Sequence, residues 1–362
     1  MRICELKLRP FRNFAAMRLN FAADYTLVFG PNGRGKSNIL EAISYLSIGK
    51  SVRGAKDTQA VPHDEKFFDI QGQCTDGRHD QQLRVFYGKK EGKKAFADAS
   101  ALPRVSDLLG VFRTVHFAPE DVSLVLRFPA QRRRLLDILI SQSSATYLRD
   151  LQRYHRVLAQ RNHLLRAAKK SDRRRADMQV MEPWDAQLIE LGAQLRWHRL
   201  DALAKLRAPF RRYYDRFSPA DEEADIGYQG AKERELDPLR DELREVLERR
   251  REQEAQVGHT LNGPHRDDLK FSLNGESAEV YASEGQLKTV LISWKLAEAR
   301  YMEEETSRQP VLLLDDVFSE LDPGRTAELL NIMDEFDQVI ATTPQEPDAR
   351  QEARFEPINL QK

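Results

Sequence analysis

The sequence has few cysteines, no long apolar run and no net charge. Of its 362 residues only two are cysteines, Cys4 and Cys74, too few for a disulfide framework or a cysteine-rich zinc site. No stretch approaches the roughly 18 uninterrupted apolar residues of a membrane span, and the first residues, MRICELKLRPFRNF, lack the apolar run of a signal peptide. We therefore expect two reduced thiols in a cytoplasmic protein with room for two or three domains.

Charge is balanced over the whole chain but not along it. The 57 Lys and Arg match the 57 Asp and Glu, yet residues 131–217 hold 20 basic against 9 acidic side chains, a local excess of 11. Residues 218–255 reverse the sign, with 7 basic against 13 acidic side chains. Alternating charge on solvated helices explains single arginines, whereas polyanion binding needs a sustained positive field of this kind. The basic block, residues 131–217, is therefore a candidate polyanion-binding region.

The spacing at which apolar residues recur changes twice along the chain. Strand spacing dominates residues 1–120, in ICELKLRPF, AAMRLNF, YTLVF, FFDIQGQC and QLRVFYG. From about residue 122, leucines recur every three or four positions, as in amphipathic helices, and Pro183, Pro209 and Pro219 punctuate this region. SPADEEADIGYQG indicates a loop before a charged helix at about 232–255. Strand spacing then resumes with LKFSLNG.

These changes of period predict an α/β protein with an inserted arm. The simplest architecture is an α/β head built from both chain ends, residues 1–120 and 256–362. A helical arm domain, residues 121–255, is basic in its first part and acidic in its second. Uninterrupted heptads are absent, so we expect a compact arm and not a long coiled coil.

A phosphate loop follows the strand YTLVF. The pattern G-x-x-x-x-G-K-S is formed by Gly30, Pro31, Asn32, Gly33, Arg34, Gly35, Lys36 and Ser37, and the helical spacing of NILEAISYLSI comes directly after it. Glycines let successive N–H groups point inward as an anion nest at a helix N-terminus. Lys36 would reach the β- and γ-phosphates, and the Ser37 hydroxyl would ligate Mg²⁺. The loop therefore predicts a nucleotide site.

Two adjacent carboxylates end the apolar strand PVLLLDD. Asp315 fits the acid that holds Mg²⁺, and Asp316 fits a catalytic carboxylate that accepts a proton from the attacking water. Helix capping, or charge balance with nearby arginines, is the alternative explanation, and Asp322 before Pro323 fits an N-cap. The long separation between the phosphate loop and these acids predicts that a domain is inserted between the two halves of the site.

The segment SEGQ, residues 283–286, is a third element. Alone, Ser283 at the start of a helix would be an ordinary N-cap. In this order, however, the phosphate loop, SEGQ, the double acid and SELD resemble the Walker A, signature, Walker B and D-loop motifs of the ATP-binding cassette (ABC) superfamily. The resemblance implies that Ser283 and Gly285 contact, in trans, the ATP held by a second subunit, and that ATP drives homodimerisation.

Further motifs narrow the resemblance. They are FRNF at 11–14, NGRGKSNILEAI at 32–43, FAPEDVSLV at 117–125, RRRLLD at 132–137, YHRVLAQRNHLL at 154–165, GPHRDDL at 263–269 and LLLDDVFSELD at 312–322. These stretches resemble the RecF family of bacterial DNA replication and repair ATPases, within the SMC-like branch of the superfamily. SMC proteins themselves carry far longer insertions, and transporter subunits usually carry a fuller signature.

The family resemblance implies a set of cofactors and partners. The cofactors are ATP and Mg²⁺. The DNA partners are single-stranded DNA, gapped DNA and duplex–single-strand junctions, with the contacts expected in the basic block. The protein partners are RecR, with RecO and RecA in the same pathway, which supports RecA loading, recombination and the SOS response. The implied activity is a weak, DNA-stimulated ATPase that is neither a motor nor a transporter.

Several positions depart from the family pattern or leave alternatives open. Ser37 stands where Thr is usual, and Asp316 stands where cassette ATPases commonly place Glu. Because misplacing a general base by about 1 Å can cost on the order of a hundredfold in rate, we expect slow hydrolysis. The segment QVIATTPQEP lacks a histidine, so a phosphate contact from Thr342 or Thr343 stays open.

Other side chains are assigned to structural roles. For His265 we favour a structural role over a catalytic or metal role. For Tyr154, Tyr213 and Tyr214 we favour core packing over stacking on bases. Two other functions are also compatible with the sequence: a P-loop phosphotransferase that acts on a small molecule, and a structural DNA-binding protein whose nucleotide site no longer turns over.

Overall fold

The structure, a computed structural model, describes residues 1–119, 122, 128–170, 180–218 and 221–360. Contacts divide the chain into two compact units. The first unit comprises Met1–Ser123, Arg212–Ala220 and Glu284–Lys362, and the second comprises Leu124–Arg211 and Asp221–Ser283. Part of the FAPEDVSLV motif and Pro219 lie outside the described residues. Within the described ranges, none of the helices is long and apolar enough to cross a bilayer.

The first unit contains two sheets and the helices that cover them. Its strands are β1 (Arg2–Arg9), β2 (Met17–Asn20), β3 (Tyr25–Phe29), β4 (Phe67–Thr75), β5 (Asp80–Gly88), β6 (Gly92–Ala97), β7 (Ser100–Ala101), β8 (Thr114–Phe117), β12 (Val311–Leu314), β13 (Val339–Thr343) and β14 (Glu356–Asn359). Its helices are α1 (Lys36–Ile48), α2 (Asp57–Ala60), α8 (Glu284–Thr306), α9 (Pro323–Met333) and α10 (Ala349–Glu352).

The two sheets of the first unit differ in strand direction. One is antiparallel with the order β2-β1-β4-β5-β6-β7, and the other is parallel with the order β14-β3-β13-β12-β8. All residues of β12 and β13 are buried, and burial on both faces of a parallel sheet explains the continuous apolar run of β12. The strands expected from the first 120 residues and from PVLLLDD are confirmed.

Helix α1 lies within the core of the first unit. Ile39, Ile43 and Leu46 of this helix belong to one buried cluster that also contains Leu6 of the antiparallel sheet and Leu313 of the parallel sheet. A helix that is apolar on most of its circumference must be buried on most of its circumference. The phosphate loop that precedes α1 is therefore attached to a helix that is buried along most of its length.

Parallel pairing places the ends of three strands at one edge of the sheet. Strand β13 lies between β3 and β12, with Thr343 opposite Phe29 and Ala341 opposite Leu314. Because parallel strands end at the same edge, the loops that follow β3 and β12 meet across the end of β13. This register explains how residues distant in sequence form one site.

The second unit is mainly helical. Its helices are α3 (Pro129–Ser143), α4 (Ala145–Lys170), α5 (Glu182–Phe217), α6 (Leu236–Val257) and α7 (Ala278–Tyr281), and its strands are β9 (Ala224–Gln229), β10 (Asp268–Leu273) and β11 (Glu276–Ser277). The strands form a small antiparallel sheet in the order β11-β10-β9. The residues of α5 from Arg212 onward are grouped with the first unit.

Buried ion pairs hold the second unit together. Arg196, only 4% exposed, donates to both carboxylate oxygens of Asp267 at 2.8 and 2.9 Å. Arg132, 2% exposed, does the same to Asp268 at 2.9 and 2.8 Å. Both aspartates belong to the GPHRDDL motif, which is thus a junction between the helices and the small sheet.

Three features of the second unit correct the sequence predictions. Pro209 does not end a helix but lies inside α5, because the buried Leu206, Phe210 and Tyr213 on either side secure the helix by packing. The residues ADIGYQ, predicted as loop, form β9, since they pair with β10 along its whole length. Residues 256–283, predicted as part of the head, group by contacts with the second unit, because β10 pairs with β9.

We predict that replacing Arg196 by Met destabilises the chain by about 3–5 kcal/mol, since the substitution leaves the buried Asp267 carboxylate without its cation. Urea denaturation followed by circular dichroism measures the change. The control is Arg244→Met, because Arg244 is 53% exposed in its pair with Asp241 and such pairs contribute below about 1 kcal/mol. Equal losses in both variants would contradict the assigned role of the buried pair.

Candidate nucleotide-binding site

The phosphate loop connects β3 to α1 and takes an unusual backbone path. Gly33 and Gly35 have φ angles of 82° and 99°, a region that side-chain-bearing residues rarely occupy. A Cβ atom on Gly35 would also lie 2.5 Å from Oδ1 of Asn13. Gly35 immediately precedes the first turn of α1, so the loop and the helix N-terminus together present N–H groups suited to an anion.

Lys36 folds back onto this loop. Its Nζ donates to the carbonyl oxygens of Gly30 at 2.7 Å and Pro31 at 3.2 Å. The residue is 7% exposed, and burial lowers the pKa of Lys36, while the charges of Asp316 and Asp315 oppose that shift. The ammonium group is therefore held inside the loop, next to the two acids.

Asp315 is the meeting point of the site. Its carboxylate is 3% exposed and accepts hydrogen bonds on Oδ1 from the hydroxyls of Ser37 at 2.8 Å and Thr342 at 2.7 Å. Arg53 donates to the other oxygen, Oδ2, at 2.8 Å. The structure thus brings together Ser37 and Asp315, as the sequence predicted.

Asp316 sits in a constrained conformation beside Asp315. Its φ is 49°, in the left-handed region that Asp tolerates better than most residues. Its backbone N–H donates to Thr342 Oγ1 at 2.9 Å, and the Ser319 hydroxyl donates to its Oδ1 at 2.6 Å. Burial raises the pKa of Asp316, the Ser319 hydrogen bond opposes this, and the charge of Asp315 adds to it. A carboxylate of raised pKa is a better proton acceptor.

Asp322 has the capping role expected of it. Its side chain accepts hydrogen bonds from the backbone N–H groups of Gly324 and Arg325, and Pro323 is the first residue of α9. The N-cap explanation is therefore confirmed for this third acid. Neither Asp315 nor Asp316 caps a helix in this way, although the pairing of Asp315 with Arg53 shows that charge balance is one of its functions.

The signature segment is tied to the D-loop. Ser283 immediately precedes α8, and the carbonyl of Gly285 accepts from Arg325 at 3.3 Å. Lys288 on the next turn of α8 donates to Glu320 of the D-loop at 2.6 Å. The charge of Lys288 thus holds the start of α8 to the D-loop. The roles of Ser283 and Gly285 toward a second subunit stay predictions.

The structure shows that four arginines of the basic block lie in the protein interior. Arg161 and Arg199 are 0% and 2% exposed. Arg161 is paired with Asp185 at 2.6 Å and Glu254 at 2.7 Å, and Arg199 is paired with Asp137 at 2.8 Å. With Arg132 and Arg196, these are four cations that cannot reach a ligand at the surface. Summed charge therefore overstates the field that the block offers to a polyanion.

His265 and the three tyrosines have structural environments. His265 Nδ1 lies 2.7 Å from the Tyr154 hydroxyl, and burial lowers the pKa of His265 to about 4. Tyr154, Tyr213 and Tyr214 are at most 1% exposed, so they pack in the interior and do not stack on bases. These environments agree with the structural role favoured for His265 and with the core packing favoured for the three tyrosines.

Sequence reasoning missed two residues that shape the site. Asn13 donates from Nδ2 to the carbonyl of Arg34 at 3.0 Å and accepts from Asn38 at 2.8 Å, so it braces the phosphate loop from outside. Arg53 reaches Asp315 from the loop after α1. The FRNF motif was a signal for Asn13, whereas the segment SVRG around Arg53 has no pattern that predicts this contact.

The residues present fit a magnesium ion. Ser37 and Asp315 offer a hydroxyl and a carboxylate 2.8 Å apart, and both are the oxygen ligands that Mg²⁺ prefers. Within the described part of the chain, no group of three or more His, Cys, Asp and Glu could hold a metal. This set suits an ion that takes most of its ligands from phosphate and water.

Comparisons with known proteins agree with this geometry. The family model described as RecF/RecN/SMC N terminal domain matches residues 2–359. The chain is 38% identical over 346 residues to the DNA replication and repair protein RecF of Heliobacterium modesticaldum. The alignment covers 95% of this chain and 92% of the relative. It is 36% identical over 349 residues to RecF of Bacillus subtilis, with coverage of 95% and 93%.

Solved structures give the same result. The structure of the recombination mediator protein RecF-ATP in the RecFOR pathway is similar, with a TM-score of 0.88 and 33% identity over 96% of this chain and 93% of that chain. A Pyrococcus furiosus Smc head domain shares the fold alone, with a TM-score of 0.55 and 15% identity over 99% of this chain and 92% of that chain.

The parallel sheet, its phosphate loop and its acidic strand end define a class: an ABC-type P-loop ATPase head of the SMC-like kind, built from both chain ends around an inserted helical arm. Within that class the sequence identity is decisive. The chain belongs to the RecF family of DNA replication and repair proteins.

We predict that Asp316→Asn raises the melting temperature of the nucleotide-free protein at pH 7.5. A carboxyl whose pKa is raised on folding favours the folded state below its unfolded pKa, and this contribution is lost as pH rises through the folded pKa. The wild type therefore loses stability at neutral pH that the amide does not lose. The difference should vanish as pH falls towards about 4.

Thermal unfolding at several pH values tests this prediction, with Asp64→Asn as control because the Asp64 side chain is 99% exposed. A gain that persists unchanged in acid, or that the control also shows, would contradict the assigned environment of Asp316.

Proposed function

We propose that this chain is an ATP-dependent DNA-binding protein of DNA replication and recombinational repair. It binds ATP with Mg²⁺, pairs two heads around the nucleotide, binds single-stranded or gapped DNA and duplex–single-strand junctions, and hydrolyses ATP slowly. The contact between Ser37 and Asp315 carries the proposal, because it joins the phosphate loop to the acidic strand end at 2.8 Å. Relatives named DNA replication and repair protein RecF support the assignment to repair.

ATP binding uses groups that the phosphate loop already brings together. The loop from Gly30 to Ser37 offers backbone N–H groups to the phosphates, and the Lys36 ammonium turns from the loop carbonyls to the β- and γ-phosphates. Ser37 and Asp315 would hold Mg²⁺, which would neutralise phosphate charge. A relative whose structure is described as RecF-ATP supports this step.

Hydrolysis depends on Asp316. The Ser319 hydroxyl donates to the Asp316 carboxylate, and the Asp316 backbone N–H donates to Thr342. In this position the carboxylate can accept a proton from a water molecule that attacks the γ-phosphate. An aspartate reaches one methylene less far than the glutamate common at this position. We therefore infer that turnover is slow, which suits a protein that remains on DNA and does not move along it.

Pairing of two heads depends on the signature segment. Ser283 covers the γ-phosphate bound by the other copy, and Gly285 allows the close approach of its backbone. Arg325 fixes the segment to α9, and Lys288 fixes it to the D-loop of the same copy, so that nucleotide at one head is sensed by the acids of both. The dimer is thus stable only while ATP is intact.

The wider context follows from the same family. We infer that the protein acts in the cytoplasm with RecR, in a pathway that includes RecO and RecA, and that it supports RecA loading, recombination and the SOS response. The RecFOR pathway named for a solved relative supports this part of the proposal. DNA stimulates the ATPase because paired heads and bound DNA stabilise each other.

We predict that Lys36→Ala and Ser283→Arg separate nucleotide binding from pairing. Lys36→Ala removes the phosphate-binding cation and should abolish both ATP binding and ATP-induced dimerisation. Ser283→Arg acts across the interface and should leave ATP affinity within about threefold while preventing pairing, because a buried unpaired charge there costs several kcal/mol. Equilibrium ATP binding and light scattering measure the two effects.

The controls are Lys90→Ala and Ser100→Arg, which make the same changes at exposed positions and should leave both measurements unchanged. An undiminished ATP-induced dimer in Lys36→Ala, or equal loss of ATP affinity in Ser283→Arg, would contradict the proposal. Consumption of ATP by a small-molecule acceptor without DNA would instead favour a phosphotransferase.

A further inference from the structure

Four arginines of the basic block lie in the interior. Among the described residues of the block, six of the nine exposed cations lie on α4. This helix has seven Lys and Arg against one acid, Asp150. Of the seven cations only Arg161 is buried, and Asp150 is buried too, at 7% exposure. The exposed surface of α4 therefore carries positive charge and no acid of its own.

These cations follow the helical repeat. Arg149, Arg153, Arg156 and Lys170 are all exposed and lie on one face, because their spacings of four, three and fourteen residues are close to whole turns. Gln160 and His163, also exposed, occupy the same face between them. We call this set the α4 stripe. At a rise of 1.5 Å per residue it is about 32 Å long.

The neighbouring helix α6 carries exposed cations together with exposed acids. Exposed cations without exposed acids, as on α4, are therefore not a general property of solvated helices. On α6, Arg244 lies 2.5 Å from Asp241, and Arg249 lies 3.3 Å from Glu245, with all four side chains more than half exposed. Each of these two cations has an acid one turn away. Among the described residues, the exposed cations of α4 have one comparable contact, the 3.9 Å approach of Arg153 to the largely buried Asp150.

We propose that the α4 stripe binds the phosphate backbone of duplex DNA. The stripe spans about 32 Å, with three arginines near one end and Lys170 at the other, and a duplex of that length has about nine phosphates on each strand. Such contacts fix position without reading sequence. The assignment rests on the proposed DNA-binding function and gives it a location.

Two observations favour duplex DNA over other polyanions. The apolar face of α4, with Tyr147, Val157 and Leu165, is buried in the second unit, so the helix has no apolar face to insert into a membrane. Single-stranded binding uses exposed aromatic side chains for stacking, and the tyrosines of α4 are interior. Charge without stacking suits the paired, regularly spaced phosphates of a duplex.

The test is a triple variant, Arg149→Gln, Arg153→Gln and Arg156→Gln, in the full-length chain. Binding to a 30-base-pair duplex with ATP is measured by fluorescence anisotropy between about 50 and 200 mM salt. We expect a loss of affinity on the order of tenfold to a hundredfold and a decrease of about 3 in the slope of log K against log salt. ATP-induced dimerisation and thermal stability should stay at the wild-type level.

The control variant is Arg244→Gln, Arg249→Gln and Arg250→Gln on α6, which removes the same charge from another face. Equal losses in both variants would attribute binding to overall charge and overturn the assignment to α4. A loss confined to single-stranded DNA, or tighter arginine-dependent binding to phosphatidylglycerol vesicles than to duplex, would also overturn it. If wild type binds duplex and the α4 variant does too, only the stripe fails; if wild type binds no DNA in any nucleotide state, the proposed function fails with it.

Discussion

The site depends on the hydrogen bonds that the Asp315 carboxylate accepts. The carboxylate accepts from Ser37 at the phosphate loop, from Thr342 on the central strand and from Arg53 after α1, and so connects three separate segments of the chain. None of these contacts forms unless β3, β13 and β12 are parallel and in the observed register. The buried helix α1 then fixes the loop, because its core residues pack against both sheets of the first unit.

The second unit uses charge in two different ways. Inside, arginines pair with the aspartates of GPHRDDL and with acids of the helices, and these pairs replace part of the apolar core that a small helical unit would otherwise need. Outside, α4 keeps exposed cations without exposed acids. Arginine therefore stabilises the interior of the second unit and offers positive charge on the exposed face of α4. Only burial and ion pairing distinguish the arginines of the two groups.

Sequence reasoning predicted β1 to β5 and β12 of the first unit, the phosphate loop, the junction of Ser37 with Asp315 and the cap at Asp322, because each has a local pattern with a clear physical cause. It did not identify β6, β7, β8 and β14. It failed where tertiary packing overrides local preference, as at Pro209 inside α5 and at β9, whose residues pair only because β10 lies beside them. Arg53 was not predictable, since its contact arises from the fold and not from spacing. The sequence gives the net charge of residues 131–217, but it does not show which of their arginines are buried and which are exposed.

The central claim is that ATP, held where Ser37 meets Asp315, controls binding of DNA by the chain. The most direct measurement is the affinity of the wild-type protein for a gapped duplex at several salt concentrations with ATP and Mg²⁺, with ADP and Mg²⁺, and without nucleotide. The account predicts clearly tighter binding with ATP, and a steep loss of affinity with salt because backbone phosphates supply the contacts. Equal affinity in all three nucleotide states would contradict it.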